Sequence, residues 1–179
     1  MADQDGAPKP PVPTKEDLPQ ELQDLPQFVT WRYVERDGKL TKVPYQTNGN
    51  RADTTDSQTW TTLDEVARYV NTKAPRAGIG YVFSEEDPYC GVDLDDCIDE
   101  QGDLKPWARE IIDTLDSYAE VSPSGTGVKV IVKAKLPPKP DGKTGRRLRL
   151  PIGDDETREI ELYDRERFFT LTGEHVDGV

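Results

Sequence analysis

The sequence of 179 residues has little cysteine, a single histidine and no long apolar run. Cys90 and Cys97 predict neither a disulfide framework nor a zinc site, because no CxxC pair occurs and His175 is the only histidine. No window approaches about 18 consecutive apolar residues, and the first residues lack the basic and apolar segments of a secretion signal. We therefore expect a cytoplasmic protein that neither spans a membrane nor is exported.

Positive charges are also outnumbered by negative charges. The chain carries 23 Lys+Arg against 35 Asp+Glu, and its net charge of −12 argues against a nucleic-acid partner. The average hides two opposite segments, however. Residues 84–120 hold 2 basic and 13 acidic residues, a net charge of −11, whereas residues 129–149 hold 8 basic and 1 acidic, a net charge of +7. Two such blocks are able to face each other or a shared ligand.

The distribution of proline suggests where the folded domain begins. Six prolines lie within residues 1–27 among charged and polar residues. This composition buries too little apolar surface to offset the entropy cost of ordering. We therefore expect residues 1–27 to form a flexible tail and residues 28–179 to form one folded domain.

Alternation of apolar and polar residues predicts most of the strands. The strand 78–83 and the strand 90–95 are joined by a short polar stretch, so we expect them to pair as neighbours. Residues 136–157, rich in proline, glycine and charge, read as a long connection. Strands that outnumber helices predict an α+β fold with a mainly antiparallel sheet. The elements expected elsewhere are a hairpin over 28–45, helices over 62–71 and 105–117, and strands over 128–132, 159–163 and 168–172.

Acidic residues two apart occur in two of these strands. Asp93 and Asp95 end an apolar strand, and the alternation of strand side chains places both carboxylates on one face. Such a pair suits a divalent cation, which relieves the repulsion between like charges. Glu159 and Glu161 repeat the spacing, and Tyr163 shares their face; a third carboxylate beside the aspartates would complete a two-metal site. The alternative is that these acids belong to solvated strand surfaces.

A glycine-rich segment, Ser122-Pro123-Ser124-Gly125-Thr126-Gly127-Val128-Lys129, has the composition of an anion-binding loop. Its glycines allow backbone N–H groups to approach an anion closely, and the lysine adds a positive charge. The spacing is not that of the Walker A motif, so an ATPase P-loop is not supported. An ordinary turn between strands is the alternative. Further along, Arg167 is able to offer a bidentate fork to phosphate.

In this order, the segments resemble the archaeo-eukaryotic primase superfamily, and most closely the primase-polymerase domains of phage and plasmid replication proteins. The resemblance runs from about Trp31 to Gly173. It implies an RRM-like, mainly antiparallel catalytic sheet with an additional N-terminal α/β unit, so that residues 28–179 form the primase-polymerase catalytic domain. Its motifs are Phe28-Val29-Thr30-Trp31, Lys42-Val43-Pro44, Ala52-Asp53-Thr54-Thr55, Thr59-Trp60, residues 78–83, residues 91–97, residues 122–127, residues 161–164, residues 167–169 and Thr172-Gly173.

The resemblance also implies residue roles. Asp93, Asp95 and Glu161 would be the catalytic acids and would bind Mg²⁺ or Mn²⁺. Lys129 stands where the family usually has histidine, and its full charge at neutral pH is compatible with triphosphate binding. The nucleotide-binding residues would be Ser122, Ser124, Gly125, Thr126, Gly127, Lys129, Arg167 and Tyr163, with Tyr163 or Phe169 against the sugar. The residues that would contact template or primer phosphate are Lys143, Arg146, Arg147 and Arg149.

The functional hypothesis is a template-dependent nucleotidyltransferase, a DNA primase and DNA polymerase of phage or plasmid replication. It would join dNTPs or rNTPs on single-stranded or primed DNA by a two-metal mechanism. A helicase, fused or separate, is the implied protein partner. Two alternatives remain, a non-catalytic DNA- or nucleotide-binding module on the same fold and a metal-dependent nuclease. The sequence leaves open whether the chain is a fragment of a longer replication protein.

Overall fold

A computed structural model describes residues 8–140, 142–152 and 156–178, and within these ranges it contains three α-helices and nine β-strands. The helices are α1 (Gln20–Gln23), α2 (Leu63–Lys73) and α3 (Pro106–Leu115). The strands are β1 (Phe28–Arg36), β2 (Lys39–Tyr45), β3 (Gly78–Phe83), β4 (Tyr89–Asp95), β5 (Ala119–Val121), β6 (Val128–Lys133), β7 (Arg146–Ile152), β8 (Glu156–Tyr163) and β9 (Arg167–Leu171).

The strands form two sheets. One has four strands in the order β2–β1–β3–β9, and the other has five in the order β5–β6–β4–β8–β7. Every pairing between these strands is antiparallel. The prediction of an α+β fold with mainly antiparallel strands is therefore confirmed, and so are the hairpin over 28–45 and the two predicted helices.

The prediction that β3 and β4 pair is wrong. β3 pairs with β1 and β9, whereas β4 pairs with β6 and β8, so the short polar stretch between them carries the chain from one sheet to the other. The two strands pack through their side chains. A Cβ atom added to Gly91 on β4 would lie 2.5 Å from Cε2 of Phe169 and 2.6 Å from Cζ of Phe83. Glycine at this position therefore lets the aromatic rings of one sheet reach the backbone of the other.

The long connection predicted over 136–157 is also wrong in part, because it contains β7. This strand pairs with β8 from the Arg146–Leu162 pair to the Ile152–Glu156 pair. The alternating run Arg147-Leu148-Arg149 is the local strand signal, which the surrounding prolines and glycines obscured.

The segment before β1 packs on the domain, in contrast to the flexible tail expected over residues 1–27. Leu18 and Leu22 are buried in the same apolar cluster as Val66 and Tyr81. The two leucines supply apolar surface that the average composition of the segment hides. Residues 1–7 of the predicted tail lie outside the described residues.

Two apolar clusters stabilise the fold. The first joins α2 to the four-stranded sheet and reaches Ile131 of β6. The second lies between α3 and the five-stranded sheet and includes Val92, Leu94, Val130 and Ile112. Because side chains alternate along a strand, burying Val92 and Leu94 against α3 places the residues between and beside them on the opposite face.

Candidate active site

A row of five charged residues crosses the five-stranded sheet. Each residue is the direct partner of the next on the neighbouring strand, and directly paired residues of antiparallel strands project to the same face. From β5 to β7 the residues are Glu120, Lys129, Asp93, Glu161 and Arg147. In the next row along the strands, Asp95 pairs with Glu159 and Glu159 with Arg149. We call this surface, opposite α3, the charged face.

An ion pair occupies the centre of the row. Nζ of Lys129 lies 2.6 Å from Oδ2 of Asp93, and the two side chains are only 8% and 17% exposed. The ammonium group also lies 4.5 Å from the ring centroid of Phe169, over the aromatic face. Since water is largely excluded, this pair is screened less than a surface pair. The carboxylate of Asp93 is therefore neutralised by a neighbouring strand.

The glutamates of β8 are engaged by arginines of β7. Nε of Arg147 lies 3.3 Å from Oε1 of Glu161, and Arg147 also pairs with Glu159. Nε of Arg149 donates to Glu159 at 2.8 Å, which holds the pKa of Glu159 below its ordinary value. The hydroxyl of Tyr163 donates to Glu161, and burial together with this hydrogen bond raises the pKa of Tyr163.

The three acids predicted to bind metal lie on this face. Asp93 pairs directly with Glu161, and Asp95 is two residues further along β4. Asp95 is exposed at the end of β4, and partial desolvation of its carboxylate together with the charge of Asp93 raises its pKa. A cation would relieve the repulsion between the two acids. Carboxylate oxygens are the ligands that Mg²⁺ and Mn²⁺ prefer. The residues therefore fit a divalent cation by their chemistry, and they share one face of the sheet.

The side chains do not converge as ligands in the arrangement described. Among the described residues, no group of three or more His, Cys, Asp or Glu side chains is placed to hold a metal ion. Lys129 and Arg147 engage Asp93 and Glu161 instead. Binding a cation there requires these basic side chains to give up the carboxylates.

The glycine-rich loop lies beside the end of β4. Gly125 has a φ of +77°, a conformation that glycine adopts without steric cost, and its N–H donates to the carbonyl of Ser122 at 2.9 Å to close the turn. A Cβ atom added to Gly127 would lie 2.8 Å from the carbonyl oxygen of Leu94 and 3.7 Å from Cα of Asp95. The predicted anion-binding loop is thus next to the acidic pair.

The hydroxyl groups of this loop bond to one another. Oγ of Ser124 lies 2.8 Å from Oγ of Ser122 and 3.1 Å from Oγ1 of Thr126. Because each hydroxyl can rotate its hydrogen, the chain of three is able to redirect a donor towards an incoming anion.

Arg167 and Tyr163 stand together near the same acids. The guanidinium carbon of Arg167 lies 5.2 Å from the ring centroid of Tyr163, and the ring of Phe169 lies 6.4 Å from that of Tyr163. Tyr163 in turn contacts Glu161 through its hydroxyl. The predicted arginine and aromatic residues are therefore brought to the charged face.

The predicted DNA-contacting residues are divided between two surfaces. Arg147 and Arg149 lie on the charged face and pair with the glutamates of β8. Arg146 is paired in register with Leu162, so it lies on the other side of the sheet, where it donates to the carbonyl of Pro137. Lys143 is exposed in the segment before β7.

Lys42 joins the site from the other sheet, and the sequence interpretation did not include it among the site residues. Its ammonium group lies 6.0 Å from the ring centroid of buried Trp31. Burial lowers the pKa of Lys42, the positive charge of Lys129 lowers it further, and Asp93 and Asp95 oppose the shift. Lys42 therefore interacts with the acidic cluster. Its only sequence signal was the Lys-Val-Pro motif.

Glu120 is the second residue that the sequence interpretation missed. Its side chain is 1% exposed and accepts hydrogen bonds from the hydroxyl of Tyr118 at 2.5 Å and from the N–H groups of Thr172 and Gly173 at 3.0 Å each. Burial raises the pKa of Glu120. The carboxylate ties β5 to the segment after β9 and stands next to Lys129 in the row.

Comparison with known proteins identifies a similar phage protein. The curated "DNA Primase-polymerase" of Nitratiruptor phage NrS-1 is 38% identical to this chain over 154 residues, which are 85% of the chain and 20% of that protein. This similarity supports a primase-polymerase domain. The motifs quoted above had indicated this placement within the archaeo-eukaryotic primase superfamily, which is confirmed. No family model matches the chain.

The primase-polymerase domain spans about a fifth of the length of that phage relative. In the part of the chain that the structure describes, no helix is long and apolar enough to cross a membrane.

Proposed function

We propose that this domain is a template-dependent nucleotidyltransferase that joins dNTPs or rNTPs on a DNA template, as a DNA primase and polymerase. One observation carries the proposal: Asp93, Asp95 and Glu161 share one face of the sheet and adjoin the glycine-rich loop and Lys129. Acids beside cations and N–H donors form the set that phosphoryl transfer requires, and no nucleophilic side chain is needed. The similarity to a phage DNA primase-polymerase supports the same class of reaction.

The three acids would hold Mg²⁺ or Mn²⁺. When bound, the ions would lower the pKa of a primer 3′-hydroxyl and stabilise charge on the leaving pyrophosphate. The protein contributes the placement of the carboxylates: Asp93 and Glu161 are direct cross-strand partners, and Asp95 follows on the same face. Strands hold such positions more precisely than loops do.

The triphosphate would be bound by groups that surround the acids. Lys129 and Lys42 supply positive charge from opposite sheets, and both interact with Asp93. Arg167 is stacked near Tyr163, whose ring would pack against the sugar. The N–H groups and hydroxyls of residues 122–127 would complete the binding surface.

DNA would lie along the exposed basic strand at the edge of the sheet. The side chains of Arg147 and Arg149 are 54% and 63% exposed, and Lys143 precedes them. Because most of the remaining charge is negative, we expect modest DNA affinity that falls steeply with salt. A helicase partner and a cytoplasmic location remain predictions from the resemblance and from the sequence.

A primer-extension assay tests the proposal. Asp93→Asn and Glu161→Gln keep the size of the side chains but remove the charge, and we expect each to lower nucleotide incorporation by about 100-fold or more. The matched control is Asp113→Asn, an exposed acid on α3 that pairs with Arg109 in the same helix. Undiminished incorporation by both site variants would refute the assignment.

A second candidate function rests on the ion pairs themselves. Lys129 and Arg147 occupy Asp93 and Glu161, as expected of a DNA- or nucleotide-binding module that has lost its chemistry. Metal-dependent binding of a dNTP, without incorporation on any primed template, would favour this module over an active polymerase. Degradation of labelled DNA without added nucleotide would instead support a nuclease that uses the same acids.

A further inference from the structure

The ion pair between Lys129 and Asp93 is the most enclosed charged contact of the charged face. Its atoms are 2.6 Å apart and its side chains are 8% and 17% exposed, whereas Arg147 and Arg149, which engage the glutamates, are more than half exposed. Exposed pairs exchange readily with water and contribute little, while an enclosed pair is costly to separate. Lys129 is therefore the basic side chain with the greatest influence on the acids.

Lys129 has few other acidic partners within the row. The neighbouring acid in the row, Glu120, already accepts three hydrogen bonds. On the side facing the other sheet, Phe169 lies under the ammonium group, and Lys42 adds a like charge. Asp93 is thus the acid that stabilises Lys129 in the absence of ligands.

A divalent cation and Lys129 compete for the same carboxylate. A cation held by Asp93, Asp95 and Glu161 would place two positive charges close to Nζ of Lys129, and repulsion between like charges would weaken the ion pair. Once separated from Asp93, Lys129 would lack a bonded acid. An ammonium group without a bonded carboxylate attracts an anion such as a nucleotide phosphate.

We propose that Lys129 is the resident counter-ion of the metal-free site, and that metal binding displaces it from Asp93 and so leaves it to bind nucleotide phosphate. The inference rests on the proposed function, because it takes the three acids as the metal site. It couples the two ligands: the metal must first overcome the ion pair, and the freed lysine then strengthens nucleotide binding. Such coupling is reciprocal.

Calorimetric titration of the metal alone tests this. Mn²⁺ is titrated into the unmodified protein, Lys129→Met and Lys129→Gln without nucleotide. We expect both neutral variants to bind Mn²⁺ about tenfold more tightly, because the ion no longer has to separate an enclosed ion pair. The control is Lys133→Met on the same strand, whose exposed lysine pairs with Glu21 and which should bind Mn²⁺ as the unmodified protein does.

Thermal unfolding provides the second readout. In the presence of a chelator, Lys129→Met should unfold at a lower temperature because Asp93 loses its counter-ion, and Mn²⁺ should raise the unfolding temperature of this variant more than that of the unmodified protein. A lysine with only a structural role would lower the unfolding temperature equally with and without Mn²⁺. The glutamine variant keeps a hydrogen-bond donor towards Asp93, so the outcome does not depend on the methionine variant folding.

The two hypotheses fail in different ways. Equal or weaker Mn²⁺ binding by both neutral variants, with clear binding by the unmodified protein, would overturn the counter-ion role alone. Absence of Mn²⁺ binding in every protein tested would overturn the metal site and with it both proposals. Tighter binding by the neutral variants, together with unchanged binding by Lys133→Met, would support the displacement of Lys129.

Discussion

The two faces of the five-stranded sheet are built by the same strands and differ in almost every physical respect. On one face, Val92, Leu94 and Val130 pack against α3 and exclude water. On the other, Asp93 and Lys129 stand between these residues in sequence and form an enclosed ion pair. Neighbouring residues of one strand therefore have different roles: one packs in the apolar core, and the next lies at the candidate site on the opposite face.

This difference leads to opposite expectations for neighbouring substitutions. A change on the apolar face should cost stability and leave the site intact, because it removes buried apolar contacts. Neutralising a crowded acid of the charged face that has no ion pair among the described residues, such as Asp95, should cost activity and little or no stability, because repulsion between like charges opposes folding. Four predictions test this separation.

Leu94→Ala should have the largest effect. The side chain is fully buried between Asp93 and Asp95, and its truncation should lower the free energy of unfolding by about 2–5 kcal/mol. Urea unfolding measures the loss. The fraction of Leu94→Ala that remains folded at low temperature should still extend primers. Loss of activity without loss of stability would contradict the proposed difference between the two faces.

Asp95→Asn should give the reverse result. Partial desolvation of its carboxylate and the charge of Asp93 raise the pKa of Asp95, so ionisation of this side chain costs the folded state more than it costs the unfolded chain. We expect incorporation of nucleotides to fall by about 10²–10³-fold, while the free energy of unfolding stays equal or rises. Primer extension and urea unfolding of Asp95→Asn measure the two quantities. A clear loss of stability would contradict the interpretation that like charges are crowded at this site.

Glu120→Gln examines a buried acid at the edge of the row. Because burial raises the pKa of Glu120 above its ordinary value of 4.5, the folded protein holds this proton more strongly than the unfolded chain does. The contribution of Glu120 to stability is therefore fully present below 4.5 and is lost as the pH rises through the higher pKa of the folded state. Glutamine does not titrate, so the stability advantage of the unmodified protein over Glu120→Gln should shrink as the pH rises.

Urea unfolding across a range of pH measures this trend. Glu174→Gln is the matched control, since Glu174 is exposed and lies in the same C-terminal segment that Glu120 contacts. A stability difference between the unmodified protein and Glu120→Gln that does not change with pH would contradict the role of burial.

Lys133→Met should have the smallest effect. Its ion pair with Glu21 has a distance of 2.6 Å, but the side chains are 57% and 63% exposed. Water and salt screen such a pair, so the free energy of unfolding should change by less than about 1 kcal/mol. A larger loss would show that the degree of exposure does not by itself explain why the Lys133–Glu21 pair is weak and the Lys129–Asp93 pair is strong.

Local sequence patterns predicted much of this protein. Alternation identified β4 and β8 and placed Asp93 with Asp95, and capping-box spacing at Thr62 identified the start of α2, where the Thr62 hydroxyl accepts from the N–H of Glu65 at 3.4 Å. The ordered motifs indicated the family. Each of these signals is carried by residues within a few positions of one another.

The remaining features depend on contacts between distant segments. That β4 lies between β6 and β8, and not beside β3, brings Lys129 and Glu161 to either side of Asp93. Lys42 arrives from the other sheet.

The sequence by itself determined which residues of each strand share a face, because alternation is a property of the local backbone. Only the tertiary structure decided which strands are neighbours, because that choice depends on burying apolar surface from the whole chain at once. The ion pair between Asp93 of the acidic segment and Lys129 of the basic segment therefore forms only on folding.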